Sequence, residues 1–392
     1  MSDDRIVYFD NNATTPLAPE ALAAMLPYLS TYYANPSSAS RAGGAVKEAI
    51  AAARADVAGL LGCRTSELVF TSGATESNHM AILGALALSP DKRHLITSSV
   101  EHPSVLLLCR HLEQTGVDVT YLPVDADGQL DMTQLSAAIR PDTALISLMW
   151  ANNETGVLFP IEEIAALARE KGVLFHTDGT QVLGKLPVNL SESSVDLFSC
   201  SAHKIHGPKG IGALFIRKGV ALPPLIYGHQ ERGRRGGTEN VPAMMGFAAA
   251  ARLLGDLDAE IAQLGALRNR LEQGVLDLVP EAIVHGKNTQ RLPNTTNIAF
   301  NVIESEELLH RLDQRGISAS TGAACAAGGS RPSHVLSAMG LSRDVILSSL
   351  RFSLGRYNHR DDVEQFMTVL HDLLPSQESR DLSVTHSVTC AH

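Results

Sequence analysis

The sequence predicts an α/β protein built on a mostly parallel, seven-stranded sheet, with a smaller α+β domain attached. Three observations point there. Short apolar runs such as Leu68-Val69-Phe70 alternate with helical stretches from about residue 67 to residue 217. That alternation requires crossover connections and a sheet covered on both faces. Beyond it the pattern changes to a long alanine- and leucine-rich stretch, which suits a bridge into a second unit.

Taken in order, strands are expected at 67–71, 94–98, 117–122, 144–149, 173–177, 197–200 and 212–216. Helical patterns occupy 77–88, 103–115 and 161–171, between those strands. From 242 to 278 the pattern reads as one long helix, leading into a second domain that ends near residue 374. The expected division is a large domain over 14–257 and a small domain combining 1–13 with 258–374. Residues 375–392 are rich in Ser, Thr and charge, and the expectation there is a disordered tail. No internal repeat is apparent.

At 392 residues, with 44% hydrophobic and 19% charged composition, the chain is long enough for one large core and a smaller one. The formal net charge of −10 argues against nucleic acid or an anionic membrane as the main partner. The strongest basic cluster, Arg232, Arg234 and Arg235, is short and interrupted by glycine. Met1-Ser2-Asp3-Asp4 opens acidic and no apolar run approaches membrane-spanning length, so a cytoplasmic protein is expected. The five cysteines show no Cys-x-x-Cys spacing, which indicates neither a disulfide framework nor a zinc site. Cys63, Cys109 and Cys200 lie in apolar stretches and read as inert thiols. Cys390 falls in the polar tail and reads as a bystander. Cys325 stands apart in Ser-Thr-Gly-Ala-Ala-Cys-Ala-Ala-Gly-Gly-Ser, a loop of small residues that keeps a thiol accessible.

Open α/β sheets bind ligands outside the carboxyl ends of their strands, so the polar residues found there carry the functional argument. After the first strand, Thr71-Ser72-Gly73-Ala74-Thr75-Glu76 turns into a helix. Such a turn presents backbone N–H groups to a phosphate, although Ser and Thr serve equally as plain helix caps. Later strand ends carry Glu101-His102-Pro103, then Asn152-Asn153-Glu154, then His176-Thr177-Asp178-Gly179-Thr180-Gln181. The stretch Ser199-Cys200-Ser201-Ala202-His203-Lys204-Ile205-His206-Gly207 places a lysine after a buried strand. Desolvation there lowers a lysine's pKa, and the neutral amine is the form that condenses with an aldehyde. Alone, Lys204 reads equally well as a solvated loop residue. Together the pieces ask for a ligand with a phosphate, an aldehyde and a basic ring nitrogen. Pyridoxal 5′-phosphate meets all three, with Lys204 for the aldehyde, Asp178 for the ring nitrogen and 72–75 for the phosphate.

With those residues in view, the chain resembles the fold-type I, pyridoxal-phosphate-dependent cysteine desulfurases of the class-V aminotransferase family. It is most similar to the NifS type and close to the IscS type. The resemblance runs from Tyr8-Phe9-Asp10-Asn11-Asn12-Ala13-Thr14-Thr15-Pro16 to Arg351-Phe352-Ser353-Leu354-Gly355-Arg356 and weakens in the tail. It implies that Lys204 holds the cofactor aldehyde, while His102 stacks on the ring and relays protons. It further implies that Asp178 faces the ring nitrogen and Gln181 donates to the phenolic oxygen. Ala74, Thr75, Ser201 and His203 would hold the phosphate, and Thr238 would reach the phosphate of a neighbouring subunit in a homodimer. Asn153 would lie near ring and substrate, and Arg351, with Asn12 nearby, would bind the carboxylate of L-cysteine. Cys325 would accept the sulfur as a persulfide, leaving alanine, and deliver it to an iron–sulfur scaffold or another acceptor protein, with nitrogenase as one destination.

Ala323, Ala326 and Ala327 replace hydroxyl residues usual around the family cysteine, so fewer side-chain donors surround the Cys325 thiolate. Tyr227 stands where a glycine is common. Two other readings stay open. A selenocysteine lyase or an aminotransferase of the same fold needs Lys204 and Asp178 but not Cys325. The other is a non-catalytic sulfur-transfer scaffold, a retained fold that binds iron–sulfur assembly partners without turnover, against which the presence of Lys204, Cys325 and Arg351 argues.

Overall fold

A computed structural model describes residues 5–322 and 332–374. Its largest sheet has seven strands, ordered Leu68–Thr71, Gly212–Ile216, Leu197–Ser201, Leu174–Asp178, Thr143–Ser147, His94–Ser98 and Asp118–Leu122. Only Gly212–Ile216 runs against its neighbours. The α/β sheet expected from the sequence is therefore present.

Both faces of this sheet are apolar, which is why its strands read as continuous hydrophobic runs. Side chains alternate between faces with period two. Leu68, Phe70, Phe175 and Phe198 join one buried cluster, while Val69, Leu197 and Leu214 join another on the opposite side. The consequence for function is that the six strands other than the antiparallel one all end on one edge. Gly212–Ile216 begins at that edge, with Gly212 opposite both Thr71 and Ser201.

A second hydrophobic cluster forms around Phe9, Phe300, Phe352 and Phe366. Its three-stranded sheet, Ser349–Ser353, Thr295–Ala299 and Ile283–Val284, is antiparallel. The N-terminal strand Val7–Tyr8 pairs in parallel with Ile317–Ser318. That pairing brings the segment after Tyr8 back to the main sheet, where the Thr15 N–H donates to the His203 carbonyl at 3.0 Å.

The expected long helix over 242–278 is two helices, Val241–Arg252 and Leu257–Leu278. The break has a local cause. Asp256 lies outside helical geometry and its carboxylate accepts from the Ala259 N–H at 3.1 Å, so a fresh N-cap starts the second helix. Alanine content alone does not show such a cap.

The basic cluster is consumed internally. Arg232 and Arg234 donate to the Thr65 and Ser66 carbonyls, and Arg235 pairs with Glu76. Beside them, Arg54 and the buried Glu231 form a bidentate pair at 2.6 and 2.7 Å, and Glu231 also accepts from the Phe70 N–H. Glu231 and Arg232 both have positive φ, so this pair holds a backbone turn that its residue types disfavour. Among the described residues, no helix is long and apolar enough to cross a membrane.

Candidate active site

The strand ends converge on a cavity of about 420 Å³. Ala74, Thr75, His102, Asn153, Asp178, Gln181, Ser201, His203 and Lys204 all line it, delivered by five strand ends and the turns after them at the same sheet edge. This volume suits a small organic ligand.

Lys204 ends a short 3₁₀ turn, Ala202–Lys204, that follows directly from the strand Leu197–Ser201. Its Nζ donates to the carbonyls of Asn12 at 2.5 Å and Ala13 at 2.8 Å. Burial, and after it the Arg351 cation, lowers its pKa to about 8 against the opposing pull of Asp178 and Asp10. Asp178 closes the strand Leu174–Asp178 and is almost fully buried. Its Oδ2 accepts from Asn78 Nδ2 at 2.7 Å and its Oδ1 from the Thr180 N–H at 3.0 Å. A buried carboxylate needs donors of this kind to stay ionised.

His102 is the N-cap of the helix Pro103–Gln114, and its Nδ1 accepts from the Ser104 N–H at 3.1 Å. That bond leaves Nε2 as the protonated nitrogen of the neutral ring. Burial lowers the pKa of His102, which favours the neutral form. Ser104 Oγ lies 2.9 Å from the same Nδ1 and 3.0 Å from Asn78 Nδ2. Asn78 and Ser104 thus tie the histidine to the aspartate in one network.

The phosphate-type turn has the expected form. Gly73 takes φ 152°, and the helix Ala74–Leu88 starts from it without a side-chain cap, so first-turn N–H groups are open to an anion. A Cβ on Gly212 would lie 2.7 Å from Gly73 Cα, so the antiparallel strand must begin with glycine for the turn to sit this close. Glu76 would oppose an anion here. Arg235 neutralises it with bonds of 2.8 and 3.2 Å. His203 is held neutral, its pKa lowered to about 4 by burial and by Lys204 and Lys209. The donor set, the buried carboxylate and the desolvated lysine all fit pyridoxal phosphate.

Asn12, Arg351 and Thr238 do not line this cavity. The Asn12 side chain is fully engaged: its Nδ2 donates to the Asn153 carbonyl and Thr295 Oγ1, and its Oδ1 accepts from Lys185 and Asn294. Arg351, on the buried strand Ser349–Ser353, donates to Asp10 Oδ1 at 2.6 Å and to the Asn153 carbonyl at 3.1 Å, and its Nε has no partner among the described residues. Thr238 lines a neighbouring cavity of about 190 Å³ that shares Ser72 and Gly210 with the main one. Cys325, with Ala323, Ala326 and Ala327, lies outside the described residues, as do Cys390 and residues 375–392.

The sequence reading missed Asn78, Ser104, Arg235 and Lys185. Asn78 gave no distinct signal, since it sits one turn beyond Ala74 in the polar run Thr75-Glu76-Ser77-Asn78-His79. Lys185 follows Gln181 by four residues within the apolar Val182-Leu183-Gly184-Lys185-Leu186.

Residues 7–366 match the family model described as Aminotransferase class-V. The chain belongs to that family. Its members are pyridoxal-phosphate-dependent enzymes. The chain is 51% identical to cysteine desulfurase 2 of Trichormus variabilis over 93% of its length and 92% of the relative's. It is 46% identical to a cysteine desulfurase of Klebsiella pneumoniae, over 94% and 92% of the two chains. Among solved structures it is similar to a NifS-like protein, with TM-score 0.88 and 37% identity over 94% and 99% of the chains. It is also similar to a protein described as SspA in complex with cysteine, with TM-score 0.79 and 38% identity over 90% and 99%.

Proposed function

We propose that this protein is a cysteine desulfurase that takes sulfur from L-cysteine, leaves L-alanine and carries the sulfur on Cys325 as a persulfide. The observation that carries this reading is the desolvated Lys204 sharing one cavity with Asp178, in a chain half identical to proteins named cysteine desulfurase. Bound pyridoxal phosphate supplies an electron sink that acidifies the Cα–H of an attached amino acid. The Asp178 carboxylate, oriented by Asn78 and Thr180, would pair with the ring nitrogen of the bound cofactor, and His102 would lie beside the ring with its Nε2–H available for proton transfer. Gln181 donates to the phenolic oxygen. Ala74, Thr75, Ser201 and His203 hold the phosphate.

Arg351 binds the substrate carboxylate, which shares the guanidinium with Asp10 and satisfies the unpartnered Nε. With the cofactor bound, the Lys204 amine would be the base that takes the Cα proton of the substrate. The Cys325 thiolate would then attack the substrate sulfur: an S–S bond forms, the C–S bond breaks, its electron pair stays on Cβ, which takes up a proton, and Lys204 returns a proton to Cα to complete alanine. The described cysteines are poor alternatives, because burial pushes the Cys63 and Cys109 thiols to about 12 and raises Cys200 as well.

The acceptor of the persulfide is an iron–sulfur scaffold or another sulfur-accepting protein. The working unit is a homodimer in which Thr238 completes the partner's phosphate site. Exposed Leu225, Ile226 and Tyr227 in the same segment support a covered surface there. Cys325→Ala tests the reading. The variant should keep the cofactor's absorbance yet lose sulfide release with dithiothreitol by at least about a thousandfold; release at the native rate refutes the role. In parallel, borohydride should fix the cofactor to the peptide containing Lys204, and fixation elsewhere removes Lys204 from its role.

A further inference from the structure

Lys185 is a buried lysine, 5% exposed, that the chemistry above does not use. Its Nζ donates to Gln181 Oε1 at 2.8 Å and to Asn12 Oδ1 at 3.1 Å, and no carboxylate is among its hydrogen-bond partners in the described residues. Burial and the nearby Lys204 and Arg351 cations hold its pKa well below that of a free lysine. Across a void of about 20 Å³, it also meets His206, Glu260 and Arg356, with Lys204 on the near wall. Keeping an amine in such a place is unfavourable unless its hydrogen bonds matter.

The two amides it contacts differ in what else holds them. Asn12 has four side-chain bonds and keeps three without Lys185. Gln181 has two: Oε1 receives Lys185, and Nε2 donates to the Asn12 carbonyl at 3.1 Å. One N–H of the Gln181 amide is thereby occupied, and the second is left for the cavity that Gln181 lines. Without Lys185, Oε1 is a buried acceptor with no donor, and the amide gains by rotating to find one.

We propose that Lys185 is a positioning residue that clamps the Gln181 carboxamide oxygen, so that the amide's free N–H stays directed at the cofactor's phenolic oxygen. This rests on the reading of Gln181 given above. A donor to that oxygen stabilises its ionised form, and losing the donor raises the pH at which the bound cofactor changes colour.

The test is a spectroscopic pH titration of the purified holoenzyme without substrate, comparing wild type, Lys185→Met, Gln181→Leu and the double variant. Lys185→Met and Gln181→Leu should each raise the midpoint by about one pH unit, the scale of one hydrogen bond to a charged oxygen. The double variant should match Gln181→Leu alone, because the clamp has nothing left to hold. Lys185→Gln, polar but too short to reach Gln181, carries the same expectation and serves if Lys185→Met does not fold. A shift in Gln181→Leu with none in either Lys185 variant overturns the clamp and leaves the reading of Gln181 standing. Additive shifts also overturn it, since Lys185 would then act independently. No shift in Gln181→Leu overturns the reading of Gln181 and the clamp with it.

Discussion

Replacing Glu101 with glutamine should make this protein more stable in proportion to pH. Glu101 is fully buried, its Oε1 accepts from Ser98 Oγ at 2.6 Å and the Met149 N–H at 2.9 Å, and its Oε2 has no partner among the described residues. Burial pushes its carboxyl from 4.5 up to about 8, with the Asp178 charge adding to the effect. Below pH 4.5 the group is protonated whether the chain is folded or not. Between there and about pH 8 the folded chain holds one proton that the unfolded chain has released. Stability therefore falls by about 1.4 kcal/mol per pH unit across that window, to a total loss of roughly 5 kcal/mol above it. Glutamine keeps both accepted bonds and does not ionise, so Glu101→Gln removes the slope. At about 2.1 cal/mol/K of unfolding entropy per residue, the melting temperatures should separate by about 1.7 °C per pH unit, reaching roughly 6 °C near pH 8. Differential scanning calorimetry of both proteins in matched buffers measures this directly. A difference that stays constant with pH refutes a neutral, buried Glu101.

Three further outcomes follow from the same geometry. Capture of pyridoxal phosphate by cofactor-free protein should accelerate about tenfold per pH unit up to about pH 8 and then level off, following the neutral fraction of Lys204; a pH-independent rate in stopped-flow absorbance contradicts this. Asn78→Leu removes a donor from Asp178 and should weaken cofactor binding by about ten- to a hundredfold in fluorescence titration. Gly212→Ala places a Cβ 2.5 Å from the Cys200 carbonyl and 2.7 Å from Gly73 Cα, and should destabilise the chain by about 1–3 kcal/mol while loosening cofactor retention. Unchanged retention after dialysis would show that the turn yields without cost.

Much of the site was legible because its residues follow strands. A polar residue at the end of an apolar run, as with Asp178 or Lys204, must emerge at the sheet edge whatever the rest of the chain does. The residues that support them were not legible. Asn78 reaches Asp178 across 100 positions of sequence, and Arg235 reaches Glu76 across 159. The break between Val241–Arg252 and Leu257–Leu278 was hidden for a smaller reason, a single capping aspartate inside a helix-favouring composition.

By itself the sequence determines the α/β class, the run of strands and the chemical types that arrive at their ends, because periodicity and strand termination are local properties. The tertiary structure alone decides which of those groups share a cavity and in what state. It bonds the Gln181 amide oxygen to Lys185, engages Arg351 with Asp10, and strips water from Lys204 so that its pKa falls to about 8. Those are effects of burial and of partners distant in the chain, and neither is written in any local pattern.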